Sequence, residues 1–185
     1  MSRNDERPVR PPNILRTHRL RLRPPLLSDA AVIFQRYAQD REVTRFLMWR
    51  PHGSIIDTRV FLRGCLRVRA RGTSFPWVIV RKKDGELLGM IELRLDSHRA
   101  QIGYVLAKSY WGNGYMTEAL KVVVHWCLSQ PGIHRIWAFA DVENRASCRV
   151  LAKAGMKREG ILRRWVVHAA MSDKPRDCYT YTIIR

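Results

Sequence analysis

A single layered α/β domain is what this chain predicts, and three features carry the prediction. Apolar residues recur with a helical period up to Gly72, then with a period of two from Phe75 to Leu106. An Asp84-Gly85 pair sits inside that alternating stretch, where a tight hairpin turn belongs. Beyond it come a long amphipathic helix pattern, a buried strand pattern, a short helix pattern and two closing strands. The order βααβββαβαββ is that of helices laid on the faces of one sheet.

Each element has its own warrant. Residues 1–14 are polar and rich in Pro and Arg, and read as a flexible N-terminal arm ahead of one domain over 15–185. "HRLRLRP" alternates and is stopped by Pro24 and Pro25, so it reads as the first strand. Ser28 or Asp29 is suited to cap a helix through "AAVIFQRYAQ". A second helix, "DTRVFLRGCLRVRA", ends near Gly72. The stretch from Phe75 to Leu106 is a three-strand meander turning at Asp84-Gly85 and again at "SHRA". Met116, Ala119, Leu120, Val123 and Cys127 share one face of a helix over 115–129 that stops at "QPG". "IHRIWAFA" is a buried strand. "NRASCRVLAKAG" is a short helix with Gly155 at its C-terminal cap, and two strands follow around "MKREGILR" and "DCYTYTIIR".

Composition narrows the class. With 185 residues the chain can bury a proper core. It has no apolar run of membrane-spanning length and no signal-peptide pattern. Its 4 cysteines are far apart, without metal-ligand or disulfide spacing, and read as reduced thiols of a cytoplasmic protein that holds no metal. The outlier is a net charge of +18. It reads either as attraction to an anion (nucleic acid, ribosome, membrane surface, phosphorylated ligand) or as solvated surface. The positive residues are spread along the chain and gather in no single tract.

"SYWGNGYMTEAL", residues 109–120, is where the sequence becomes specific. The first amides of a helix lack intrahelical partners, and the helix dipole adds positive charge there. An anion is stabilised at such a turn, provided that no Cβ stands in the way. Gly112 and Gly114 meet that need, and Thr117 can add a hydroxyl. A Walker loop is excluded, because no Gly-Lys-Ser/Thr follows. A dinucleotide fingerprint fits badly behind an antiparallel meander. A plain tight connection needs the same glycines.

In this context the chain resembles the GNAT superfamily of N-acetyltransferases, and most of all its ribosomal-protein N-terminal acetyltransferase branch. The shared blocks are "LRTHRLRLRP", "GELLGMIEL", "QIGYVLAKSYWGNGYMTEAL", "HRIWAFADVENRASCRVLAKAGMKREG" and "RDCYTYTIIR". Ser109 departs from the family's Arg/Gln. The resemblance implies the GNAT acyl-CoA N-acyltransferase fold, a mixed and mostly antiparallel sheet flanked by helices. It implies acetyl-CoA as cosubstrate, a primary amine as acceptor, and admits a homodimer. Tyr104, Val105 and Leu106 would offer backbone groups to the pantetheine arm. Trp111, Gly112, Asn113, Gly114, Tyr115, Met116 and Thr117 would cradle the pyrophosphate. Asn144 would bond the pantetheine, cap the helix after it, or both. Arg145, Arg149 and Lys153 would face the cofactor's phosphates or plain solvent.

The resemblance also assigns chemistry. A backbone N–H near Val105 would hold the oxyanion. Where many members carry an acidic tyrosine this chain has Leu151, which leaves Ser147 or a water to protonate the leaving thiolate. Where members carry a glutamate base it has Gln101, leaving Glu92 and, behind it, Asp177. A weakly equipped site suits an α-amine of pKa about 8 better than a lysine near 10.4, a difference of about 3 kcal/mol at pH 7. A chain this basic repels polyamines. Loss of both usual groups equally suits a non-catalytic module binding CoA or nucleic acid. Trp77, Trp111, Trp137 and Trp165 read as a substrate cage or as packing.

Overall fold

The computed structural model describes residues 9–185. Among them, eight strands form one mixed sheet. The strands are β1 (Leu15–Arg16), β2 (Leu20–Arg23), β3 (Ser74–Arg81), β4 (Leu87–Asp96), β5 (Arg99–Leu106), β6 (Arg135–Asp141), β7 (Lys157–Val166) and β8 (Arg176–Ile184). Their spatial order is β1-β2-β3-β4-β5-β6-β8-β7, and only the β5–β6 contact is parallel.

Both faces of the central strands are covered, which is why β3 is buried almost throughout. Alternation sends Phe75, Trp77 and Ile79 to one side and Val78 and Val80 to the other. The first side packs on helices α4 (Tyr115–Leu128) and α5 (Arg145–Lys153) through Met116, Leu120, Val123 and Leu151. The second packs on α1 (Ala30–Ile33) and α3 (Ile55–Arg71) through Ile33, Leu62 and Cys65. No helix among the described residues is long and apolar enough to cross a membrane.

Local chemistry explains the boundaries. Ser54 and Asp57 form a reciprocal capping box at the start of α3, and Gly72 ends it at φ 73°. The end of α5 is a Schellman turn: the Gly155 amide donates to Ala152 and the Met156 amide to Leu151.

Several sequence expectations need correction. The first helix is not capped by Ser28 or by the side chain of Asp29. Leu26 holds the cap position, and Asp29 accepts its amide together with the fork of Arg23. That helix is a composite, with a tight turn at Leu27–Asp29, α1, and a π-helical turn at Phe34–Ala38. A further short helix, α2 (Arg41–Thr44), is capped by Asp40. The expected first strand is β2; a short β1 that the sequence did not suggest precedes it and pairs with it antiparallel across residues 17–19. In "SHRA" only Ser97 and His98 lie between strands. Of the expected arm, residues 1–8 lie outside the described residues. Pro11 is buried, and the Trp77 indole donates to the carbonyls of Pro12 and Asn13 at 3.3 and 3.0 Å.

Candidate active site

A wedge in the middle of the sheet creates the site. β5 pairs with β4 along its whole length, but with β6 only at Arg99–Gln101. β6 then continues beside β8 as far as Asp141. Residues 102–106 of β5 therefore have no strand on one side, and alternate residues turn their N–H and C=O groups into the gap. The gap opens into a cleft of about 980 Å³, lined by β5 from Gln101 on, by Phe139–Asp141 and by the starts of α4 and α5. Gly89 keeps the edge in place: a Cβ there would stand 2.2 Å from the Val105 carbonyl.

At one end of the wedge lies the glycine corner. Gly112 and Gly114 have φ of 77° and 76°, a region that costs other residues about 1–2 kcal/mol. No acceptor among the described residues takes the amides of Gly112, Asn113 or Gly114. The corner is braced from β1–β2, which no local pattern in the sequence reveals. Arg19 donates to the Asn113 carbonyl at 3.1 Å and to Glu118 at 2.7 Å, and its guanidinium lies 4.5 Å from the centre of the Tyr115 ring. Thr17 also donates to Glu118, at 2.5 Å. Burial alone would raise the Glu118 carboxyl; these hydrogen bonds and the Arg19 charge hold it below its ordinary value.

Lys121, Arg145, Arg149 and Lys153 also line the cleft, and none is in an ion pair among the described residues. The last three recur every four residues of α5, so they share one face. Free amides at a corner of positive-φ glycines, in one cleft with four unpaired cations, fit a pyrophosphate and further phosphate. Trp111 lines the cleft and donates to the Leu106 carbonyl at 2.7 Å, while Asn113 turns its amide back onto the Trp111 carbonyl.

Midway along, three polar groups meet. The Asn144 carbonyl oxygen accepts the Ser147 amide at 3.1 Å, the capping role, and its NH₂ is left for another partner. Ser147 Oγ lies 2.7 Å from the hydroxyl of Tyr104, which is also 3.3 Å from the Ser147 carbonyl. Burial pushes the Tyr104 hydroxyl far above its ordinary value and keeps it a proton donor. Sequence reasoning assigned Tyr104 only backbone contacts, because nothing local pairs residues 43 positions apart.

Phe46, Met48, Trp49, Phe61 and Phe139 give the cleft apolar walls. The acids there are already engaged. Glu92 accepts from Ser74 at 2.5 Å and pairs with Arg94; Glu42 pairs with Lys108. Asp141 accepts from Arg176 at 2.6 Å and lies 3.2 Å from His168. Asp177 does not line the cleft; it holds Arg163 and the Arg164 amide. The tryptophan cage does not form either: of its four members only Trp111 lines the cleft, and Trp77 is core. No group of three metal-ligating side chains occurs among the described residues.

Comparison with known proteins bears on this geometry. Residues 19–157 match the family described as Acetyltransferase (GNAT) domain. The chain is 33% identical over 175 residues to YoaA of Bacillus subtilis, named as an uncharacterized N-acetyltransferase, covering 93% of this chain and 97% of that protein. It is 30% identical over 111 residues to the ribosomal-protein-serine acetyltransferase of Escherichia coli, covering 58% and 61%. Among solved structures, RimJ of Mycobacterium smegmatis in complex with CoA-disulfide aligns at a TM-score of 0.77 and 27% identity, over 89% of this chain and 81% of that one.

Proposed function

We propose, from the premise that this chain belongs to the GNAT acetyltransferase family and is an N-acetyltransferase, that it passes acetyl from acetyl-CoA directly to a protein N-terminal α-amine or a small low-pKa amine. One observation supports the reading most. The unpaired edge of β5 runs from the bare amides of the glycine corner to the Ser147–Tyr104 hydroxyl pair, so diphosphate grip and proton donor share one groove.

The acetyl thioester supplies the electrophilic carbonyl, and the rest falls to this chain. Gly112, Gly114 and the α4 amides bind the diphosphate, with Arg145, Arg149, Lys153 and Lys121 as counter-charges. The main-chain groups of Tyr104 and the Leu106 amide, which face the gap, position the arm, and one of these amides is directed at the oxygen that gains charge. Val105 turns its own N–H and C=O to β4, and the Leu106 carbonyl is taken by Trp111. The Asn144 NH₂ adds one donor. Tyr104 donates to Ser147 Oγ, which frees the Ser147 hydrogen for the departing sulfur.

No unpaired carboxylate lines the cleft among the described residues. Both oxygens of Glu92 already accept hydrogen bonds, so it holds an arriving ammonium by its remaining lone pairs. That suits an acceptor of lower pKa, which gives its proton to water before it attacks more readily than a lysine does. Apart from the lone pairs left on Glu92, apolar walls and paired acids offer little to the several further charges of a polycation.

A thiol-release assay with acetyl-CoA against N-terminal peptides, small amines and polyamines tests this. Peptide turnover well above polyamine turnover is expected, with CoA binding lost in Gly114→Trp. Efficient polyamine acetylation would refute the acceptor assignment. Absence of thiol release with every amine of the panel would point to the non-catalytic alternative.

A further inference from the structure

We infer that the solvent face of α3 is a docking site for the phosphate backbone of a nucleic acid. Arg59, Arg63, Arg67 and Arg71 recur every four residues and are all exposed. The interval stacks them along one side of the helix over about 18 Å. The only carboxylate in α3 is Asp57, and it is spent on the helix's own N-terminal amides. Among the described residues none of the four arginines takes part in an ion pair or a side-chain hydrogen bond. Arg69 marks the contrast. It turns inward, donates to the Pro76 carbonyl at 3.1 Å, and lies 5.3 Å from the Trp77 ring centre.

Like charges one turn apart repel and weaken a helix. A bound polyanion cancels that cost. Arginine's planar fork matches phosphate oxygens two at a time, and the +18 chain supplies long-range attraction. A membrane is the poorer occupant. The exposed apolar side chains on this face are Ile56 and Val60 at its N-terminal end, without the aromatic or leucine ridge that interfacial helices bury. The opposite side of α3 sends Phe61 into the cleft wall, so a nucleic acid on the arginine face leaves the cleft open. This inference stands apart from the acceptor assignment and fails separately from it.

The test is fluorescence anisotropy with labelled duplex RNA and duplex DNA of arbitrary sequence, from about 50 to about 200 mM salt. Two full-length variants each remove three charges. One is Arg59→Gln/Arg63→Gln/Arg67→Gln; the other is Lys157→Gln/Arg158→Gln/Arg163→Gln on β7, at the far edge of the sheet. Glutamine is a good helix former, and circular dichroism checks the fold. The stripe variant is expected to bind ~10-fold or more weakly, with a log–log salt slope shallower by about three, and the β7 variant to change little. Equal loss in both variants would overturn the assignment to α3. So would no binding by the unaltered chain, or its retention on phosphatidylglycerol vesicles without nucleic-acid binding.

Discussion

Arg19 holds Asn113 by its main chain. One guanidinium nitrogen donates to the Asn113 carbonyl at 3.1 Å while Nε holds Glu118, so a residue of the sheet's edge fixes the corner whose amides stay free. Arg19→Ala is expected to raise the dissociation constant for CoA about tenfold, or about 1.4 kcal/mol, with little change in kcat. Arg19→Lys should not restore it, since an ammonium cannot serve both partners as a fork. Calorimetry on the three proteins decides the matter; unchanged affinity in Arg19→Ala would disprove the brace.

Ser147→Ala is expected to lower kcat about a hundredfold, the scale of a lost general acid, and Tyr104→Phe about tenfold. KM for acetyl-CoA should barely move in either. Combining them should cost little more than Ser147→Ala alone, because Tyr104 acts through Ser147. Steady-state kinetics with independent, additive losses would separate the two hydroxyls.

Gly89→Ala sets a side chain against backbone. Its Cβ meets the Val105 carbonyl at 2.2 Å, so the β5 edge must shift. A loss of about 1–3 kcal/mol in denaturant stability is expected, together with weaker CoA binding. Stability and affinity both at the unaltered level would mean that the edge is not so constrained.

His168 is nearly inaccessible, and burial lowers its pKa despite Asp141 at 3.2 Å; Arg176 across Asp141 lowers it further. A group depressed in the folded state stabilises fully above its unfolded value and loses that contribution as pH falls. Melting temperature should therefore drop between pH about 7 and about 5, as the unfolded histidine takes a proton the folded one resists. His168→Gln should flatten the slope. An equally steep slope in that variant would assign it to other groups.

Burial pushes the thiols of Cys65, Cys127 and Cys178 up to about 12, while Cys148 is only partly buried. One thiol per folded chain should react quickly with a disulfide reagent, and the other three only after unfolding. Fast reaction of two or more in the native protein would contradict the packing.

Legibility followed the range of the interaction. The period of two over β3 to β5, the face of α4 and the Gly155 turn are local patterns, and they appear where the residues predict them. The glycine corner was legible for the same reason, since positive φ and absent Cβ atoms belong to single residues. Arg19 with Asn113, Tyr104 with Ser147, and His168 with Asp141 join positions 94, 43 and 27 apart, and no periodicity records such pairs. The composite helix at 27–38 was misjudged because Asp29, typical of caps, is recruited by Arg23 on a neighbouring strand.

The missing stitches between β5 and β6 carry one more consequence. The carrier proposed to lie in that seam would finish a sheet left unsewn at its centre. Resistance to heat should then climb with carrier concentration, by about 2.7 kcal/mol at a hundredfold excess over the dissociation constant. Loading would then stiffen the seam where the sheet is least sewn.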